Sequence, residues 1–63
     1  MQQRFYPSPQ PSSISIVSCH GEWFVTIVEN GVQVTDTFAS EVKAIRCAEV
    51  GRVRLGLRYV ERL

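Results

Sequence analysis

The chain has 63 residues, of which 44% are hydrophobic and 21% are charged, and its formal net charge at pH 7 is +1. This length allows one domain and excludes the nucleotide-binding and barrel folds that carry most metabolic chemistry, because those folds need far longer chains. The composition is that of a globular protein. The small net charge argues against an affinity based mainly on neutralising phosphates, and no apolar run approaches the ~20 residues of a membrane span.

The first 13 residues differ in composition from the rest of the chain. Pro7, Pro9 and Pro11 fix φ and remove a backbone donor at every second position, which predicts a disordered or polyproline arm over residues 1–13 and one domain over residues 14–63. No basic segment is followed by an apolar one, so we expect no secretory signal. With only two cysteines, the chain lacks the disulfide framework of small exported domains, which predicts a cytoplasmic protein whose cysteines are small buried hydrophobes.

Three stretches rich in β-forming residues predict strands over residues 14–19, 23–28 and 32–38. The second stretch is almost entirely aromatic or β-branched, a composition typical of strands. Gly21 lies in the first connection, and Asn30-Gly31 in the second is the preferred pair for a two-residue hairpin turn. The pattern predicts an antiparallel meander in which Asp36 marks a bulge or the end of the third strand.

A helix is predicted over residues 40–54, because Ser40 is a good N-cap and Gly56 is placed to end the helix. We expect the small inner face to let the helix approach the sheet closely, and we expect the Trp23 indole to fill the space that this face leaves. The small inner face consists of Ala44, Cys47, Ala48 and Gly51.

These elements predict an α+β fold of order β-β-β-α-(β). A three-stranded antiparallel sheet packs on one α-helix, and residues 57–63 add a short fourth strand or extend the helix.

The sequence resembles known domains over roughly residues 14–56. The residues that carry the resemblance are Gly21-x-Trp23-x-Val25, Asn30-Gly31, Phe38-x-Ser40 and Ala44-x-x-x-Ala48. They are similar to small bacterial β-β-β-α domains of unknown function and, more distantly, to the three-stranded DNA-binding domains of plant ethylene-response factors and the arm-binding domains of phage integrases. In the DNA-binding families the open sheet face carries arginines into the major groove. This chain has neither arginine nor lysine between Gly21 and Ala39, which departs from that pattern.

The basic residues are concentrated in the second half of the chain. Residues 1–39 carry a net charge of −2 and residues 40–63 a net charge of +3. Such a basic segment can contact phosphates, whereas it more commonly forms a solvated face with salt bridges, here to Glu49 and Glu61. The alternative function is therefore a small nucleic-acid-binding regulator, although nucleic acid is the disfavoured partner. Its candidate contacts are Lys43, Arg46, Arg54, Arg58 and Arg62.

Cys19, His20 and Cys47 are the residues that suggest metal or nucleophile chemistry. A zinc site usually needs four ligands in paired short spacings, and neighbouring strand residues point to opposite faces of a sheet. A Cys–His nucleophile pair also needs a third, orienting group. We therefore expect a non-enzymatic protein with no cofactor, no metal and no small-molecule substrate.

The open face of the sheet is the candidate interaction site. If Trp23 faces the helix, then Phe24 and Val28 point outward and form an apolar patch with Val17 or Ile16. Contiguous apolar patches usually mark interfaces, which predicts a protein-interaction or regulatory module that binds a protein partner or homodimerises, with no membrane partner. Pairing of edge strands is a second route to a dimer, and an arm folded over the patch would leave a monomer. The candidate interface residues are Phe24, Thr26, Val28, Thr35 and Thr37.

Overall fold

A computed structural model describes residues 12–63, and within them it confirms the predicted α+β fold. The four strands form one sheet in the order β3-β2-β1-β4. Ser13, which was expected in the arm, is the first residue of β1, and the rest of the predicted arm, residues 1–11, lies outside the described residues. The elements are β1 (Ser13–Cys19), β2 (Glu22–Glu29), β3 (Val32–Phe38), α1 (Glu41–Leu55) and β4 (Glu61–Arg62).

Two tight turns connect the first three strands. His20 and Gly21 have φ of 53° and 79°, and Asn30 and Gly31 have φ of 54° and 80°. Positive φ at both central residues is the signature of type I′ turns, whose twist matches that of the flanking antiparallel strands. The register of β2 and β3 is regular throughout and pairs Asp36 with Val25, so the predicted bulge or strand end at Asp36 is wrong.

The C-terminal segment contributes a much shorter strand than the sequence predicts. Only Glu61 and Arg62 join the sheet, where they pair in parallel with β1, and the Leu63 N–H donates to the Ile16 carbonyl at 2.9 Å. Earlier in the segment, Leu57 and Val60 pack against the core instead of extending the strand. The sheet is therefore mixed, with one short parallel pair beside an antiparallel meander.

Both predicted helix ends are confirmed to within a residue. Ser40 has an extended backbone, and its side chain accepts a hydrogen bond from the Lys43 N–H at 3.4 Å, so it caps the helix that begins at Glu41. At the other end Gly56 has φ of 69°, and the Leu57 N–H donates to the Arg52 carbonyl at 2.9 Å. This bond satisfies a carbonyl that has no partner within the helix.

The core lies between α1 and the first two strands. Gly51 is buried in it, and a Cβ atom placed on Gly51 would lie 2.9 Å from Ile14 Cδ1 and 3.2 Å from Ile27 Cδ1. The close approach predicted for the small helix face is thus confirmed. However, cross-strand partners Ile14 and Ile27 occupy the space beside Gly51, whereas the Trp23 indole is only half-buried and packs at the margin of the core. The buried hydrophobic residues are Ile14, Ile16, Val25, Ala44 and Ala48.

The helix leaves β3 uncovered. Every fully buried strand residue belongs to β1 or β2, and β3 is exposed along its length except at Phe38. Val32 and Val34 lie on the helix side of the sheet by register, yet they are 63% and 54% exposed. One helix is too narrow to cover a sheet of this width, since a helix is about 10 Å across and neighbouring strands are about 4.8 Å apart.

Candidate interaction surfaces

The open face of the sheet is formed by alternate residues of its strands, as predicted from their parity. The pairing register places Val17 opposite Phe24 and Phe24 opposite Thr37. It also places Ile16 opposite the buried Val25 on the helix side, so Val17, and not Ile16, completes the patch around Phe24. Val17 and Phe24 are half-buried because they cover one another across the strands.

All five candidate interface residues lie on this face. A row of hydroxyl side chains crosses its centre, where Ser15 pairs with Thr26 and Thr26 pairs with Thr35. The Thr26 and Thr35 hydroxyls are 2.9 Å apart and share a hydrogen bond. Thr26 and Val28 are half-buried, while Thr35 and Thr37 are exposed.

The open face carries little charge, and that charge is negative. Among residues 12–63 its ionisable side chains other than the Cys19 thiol are those of Glu22 and Glu61, both at the margin of the sheet. In the described part of the chain no arginine or lysine lies on this face. A surface of this kind repels a phosphate backbone and suits contact with another apolar surface.

Of the five candidate nucleic-acid contacts, the structure brings Arg58 and Arg62 to one cleft and leaves the other three outside it. Arg54, near the end of α1, donates to Glu29 at 3.1 Å, while Arg62 donates to Glu41 at the start of the helix at 3.0 Å. Lys43 and Arg46 are exposed on the helix between these two ion pairs, and Arg58 is exposed in the segment after it.

The expected ion-pair partners are also partly wrong. Glu49 pairs with Arg52 at 2.9 Å as expected, but the other acids in ion pairs among residues 12–63 are Glu29 and Glu41, and Glu61 takes no part. Glu29 and Glu41 are brought to their arginines by the packing of α1 on the sheet, which helical spacing does not reveal.

A cleft of about 470 Å³ lies between α1 and the C-terminal segment. Arg52, Arg58 and Arg62 line its rim, and Arg52 also donates to the Leu57 carbonyl at 3.0 Å, which ties the segment to the helix. The guanidinium groups of Arg52 and Arg62 therefore already bond to other groups of the fold. Arg52, which is not among the five candidate contacts, also forms the ion pair with Glu49.

The alternation of residues along the strands did not reveal two further groups of exposed apolar side chains. One group consists of Val32 and Val34 on the helix side of β3. The other lies on the solvent side of α1, where three valines are 59–69% exposed: Val42, Val50 and Val53. Valine is a weak helix former, so three valines on the outer side of a helical wheel are a sequence signal that could have identified this exposed group.

The two cysteines are not buried as expected. Cys19 is exposed at the end of β1 and Cys47 is half-buried on α1, and both are free thiols. The pKa of Cys47 is raised by burial, which disfavours the thiolate, and further by the negative charge of Asp36. Among residues 12–63, no three histidine, cysteine, aspartate or glutamate side chains are grouped so that they could hold a metal ion.

Comparison with known proteins adds no assignment. No protein-family model matches the chain, and neither a curated protein nor a solved structure matches it. In the described residues α1 is neither long nor apolar enough to cross a membrane.

Proposed function

We propose that this chain is a non-enzymatic protein-interaction module whose open sheet face binds another protein, and that a second copy is one such partner. The observation that carries the proposal is the combination of Val17, Phe24 and Val28 on a face that no other element of residues 12–63 covers and whose charged groups in that range lie only at its margin. Burying such a face removes apolar area from water without leaving charged groups unpaired.

The placement of the chemically versatile side chains supports a binding role over an enzymatic one. His20 lies in an exposed turn, Cys19 is exposed on the open side of the sheet, and Cys47 lies on α1 on the other side. Groups that act as one catalytic site must approach within hydrogen-bond distance, and the sheet separates the Cys19 thiol from the Cys47 thiol. The two free thiols fit a reducing compartment, and we place the protein in the cytoplasm.

The nucleic-acid alternative has weaker support. Arg54 and Arg62 are held in ion pairs at opposite ends of α1, and the open face lacks basic residues. A band-shift titration with single-stranded and duplex DNA at low salt separates the two functions, because phosphate binding is strongest there. A complex that dissociates steeply with added salt would replace the interaction module with the nucleic-acid regulator.

Solution mass tests the open face directly. At about 0.1 mM we expect light scattering to give a mass above the 7.1 kDa of one chain, and we expect Phe24→Asp to lower it by burying a carboxylate in the interface. The matched control is Val53→Asp, which adds the same charge on the solvent side of α1. A wild-type monomer, or an equal loss of mass in both variants, would refute self-association through the open face.

A further inference from the structure

A second surface lies at right angles to the open face, along the edge of the sheet. β3 is the outermost strand on its side and is seven residues long. At the opposite edge, β1 is flanked by β4 and by the bond from Leu63 to Ile16. The backbone groups on the outer side of β3 have no strand beside them in the described chain.

The hairpin geometry determines which backbone groups face outward. Glu29 and Val32 flank the two-residue turn, and in such a turn the closing pair is hydrogen-bonded. Because backbone N–H and C=O groups alternate in direction along a strand, every second residue from Val32 bonds to β2. The outward groups therefore belong to Gln33, Thr35 and Thr37.

This edge has few of the features that usually prevent strand pairing. Natural edge strands are protected by lysine, proline, bulges, short length or an inward-pointing charge, and of these β3 has only the inward-pointing charge, at Asp36. β3 contains neither lysine nor proline, its register has no bulge, and its one charged residue is Asp36. Val32 and Val34 are also more than half exposed along this strand.

We propose that β3 pairs antiparallel with β3 of a second copy, about a twofold axis at Thr35. This register pairs all seven residues of the strand, joins the outward groups of Gln33 to those of Thr37 of the second copy, and forms about six backbone hydrogen bonds. On the helix side, Val32 lies opposite Phe38 of the second copy and Asp36 lies opposite Val34 of the second copy. No like charges face one another, and an apolar residue meets an aromatic one at each end.

The size of the open face supports the same arrangement, and this part of the argument rests on the proposed function. Three strands of seven or eight residues and the two-residue β4 cover roughly 380 Å², whereas a standard interface buries about 800 Å² on each partner. Edge pairing makes one eight-stranded sheet with a continuous open face of about twice the area. Two such dimers stacked by their open faces form a tetramer with closed twofold symmetry.

The edge contact is tested in a background that removes the face contact. We expect Phe24→Asp to have twice the 7.1 kDa mass of one chain at about 1 mM. Adding Thr35→Pro should give a monomer, because proline removes the central outward N–H while leaving the bonds to β2 intact. Adding Thr35→Val should retain the dimer, because valine keeps the N–H and nearly the same shape. A monomeric Phe24→Asp protein, or a dimer that survives Thr35→Pro, would overturn the edge contact without affecting the proposed role of the open face.

Hydrogen exchange gives a test that does not depend on whether the proline variant folds. In the Phe24→Asp protein we expect the amides of Gln33, Thr35 and Thr37 to exchange at least tenfold more slowly at about 1 mM than at about 10 μM. The neighbouring amides of Val34 and Asp36 bond to β2 in both cases and serve as internal controls. Equal exchange of the three outward amides at both concentrations would contradict the edge contact.

Discussion

Gly51 is the position where the structure makes the sharpest energetic prediction. In Gly51→Ala the new Cβ would lie 2.9 Å from Ile14 Cδ1 and 3.2 Å from Ile27 Cδ1, inside the ~3.5–4.0 Å optimum for carbon atoms. Ile14 is only 1% exposed, so its end has little room to move. Overpacking of a core costs typically ~1–3 kcal/mol, while alanine gains ~1 kcal/mol of helix propensity over glycine. We expect a net loss of about 1 kcal/mol.

A double mutant separates the two opposing contributions. Ile14→Val removes the Cδ1 atom that Gly51→Ala would meet, at a cost of about 1 kcal/mol on its own. In that background we expect Gly51→Ala to be neutral or stabilising, which corresponds to a favourable coupling of about 1–2 kcal/mol. The free energies come from urea unfolding followed by circular dichroism at one fixed protein concentration. Strictly additive effects, or a stabilising Gly51→Ala single mutant, would show that the helix does not lie this close to the sheet.

Three further predictions concern Trp23 and the cysteines. Trp23→Ala should lower the free energy of unfolding, measured in urea, by about 2–3 kcal/mol. This is less than the ~3–5 kcal/mol expected at a fully buried site, because the indole is half-buried. An unchanged unfolding midpoint would mean that the indole does not pack on the core. At about pH 8.5, iodoacetamide should alkylate Cys19 faster than Cys47, because the raised pKa of Cys47 keeps its thiol protonated. Asp36→Asn should reduce the difference between the two alkylation rates, because it removes a negative charge that raises the pKa of Cys47. Because the Cys47 thiol ionises at lower pH in the unfolded chain, the unfolding free energy should decrease as pH rises above the ordinary thiol pKa. Cys47→Ala should remove the part of this decrease that comes from the Cys47 thiol.

The local elements could be predicted from sequence because short-range chemistry determines them. Asn30-Gly31 set the second turn, Ser40 and Gly56 set the helix ends, and the bounds of β3 agree residue for residue with the structure. Period-two alternation also identified the face of the sheet to which Phe24 belongs. Each of these features depends on residues that are close in the chain.

Features that depend on position along an element could not be predicted in the same way. Parity placed Trp23 and Ile27 on the helix side, but it could not show that Ile27, and not Trp23, meets Gly51. The parallel pairing of Glu61 with Ser15 joins residues far apart in sequence, and the ion pair between Arg54 and Glu29 joins two elements. Val34 is exposed because α1 packs mainly over β1 and β2 and leaves β3 uncovered.

The two type I′ turns also bear on the order in which the sheet assembles. Residues His20-Gly21 and Asn30-Gly31 connect β1, β2 and β3 through the shortest hairpins that antiparallel strands use. Hairpins of this kind form in about 1–10 μs because little chain entropy is lost on closing them. The bond between Leu63 and Ile16 closes a loop that spans most of the domain, and contacts of such high sequence separation form slowly. We therefore expect the meander to be complete before the C-terminal segment docks, so that β3 and β1 are both open edges during the earliest stage of folding.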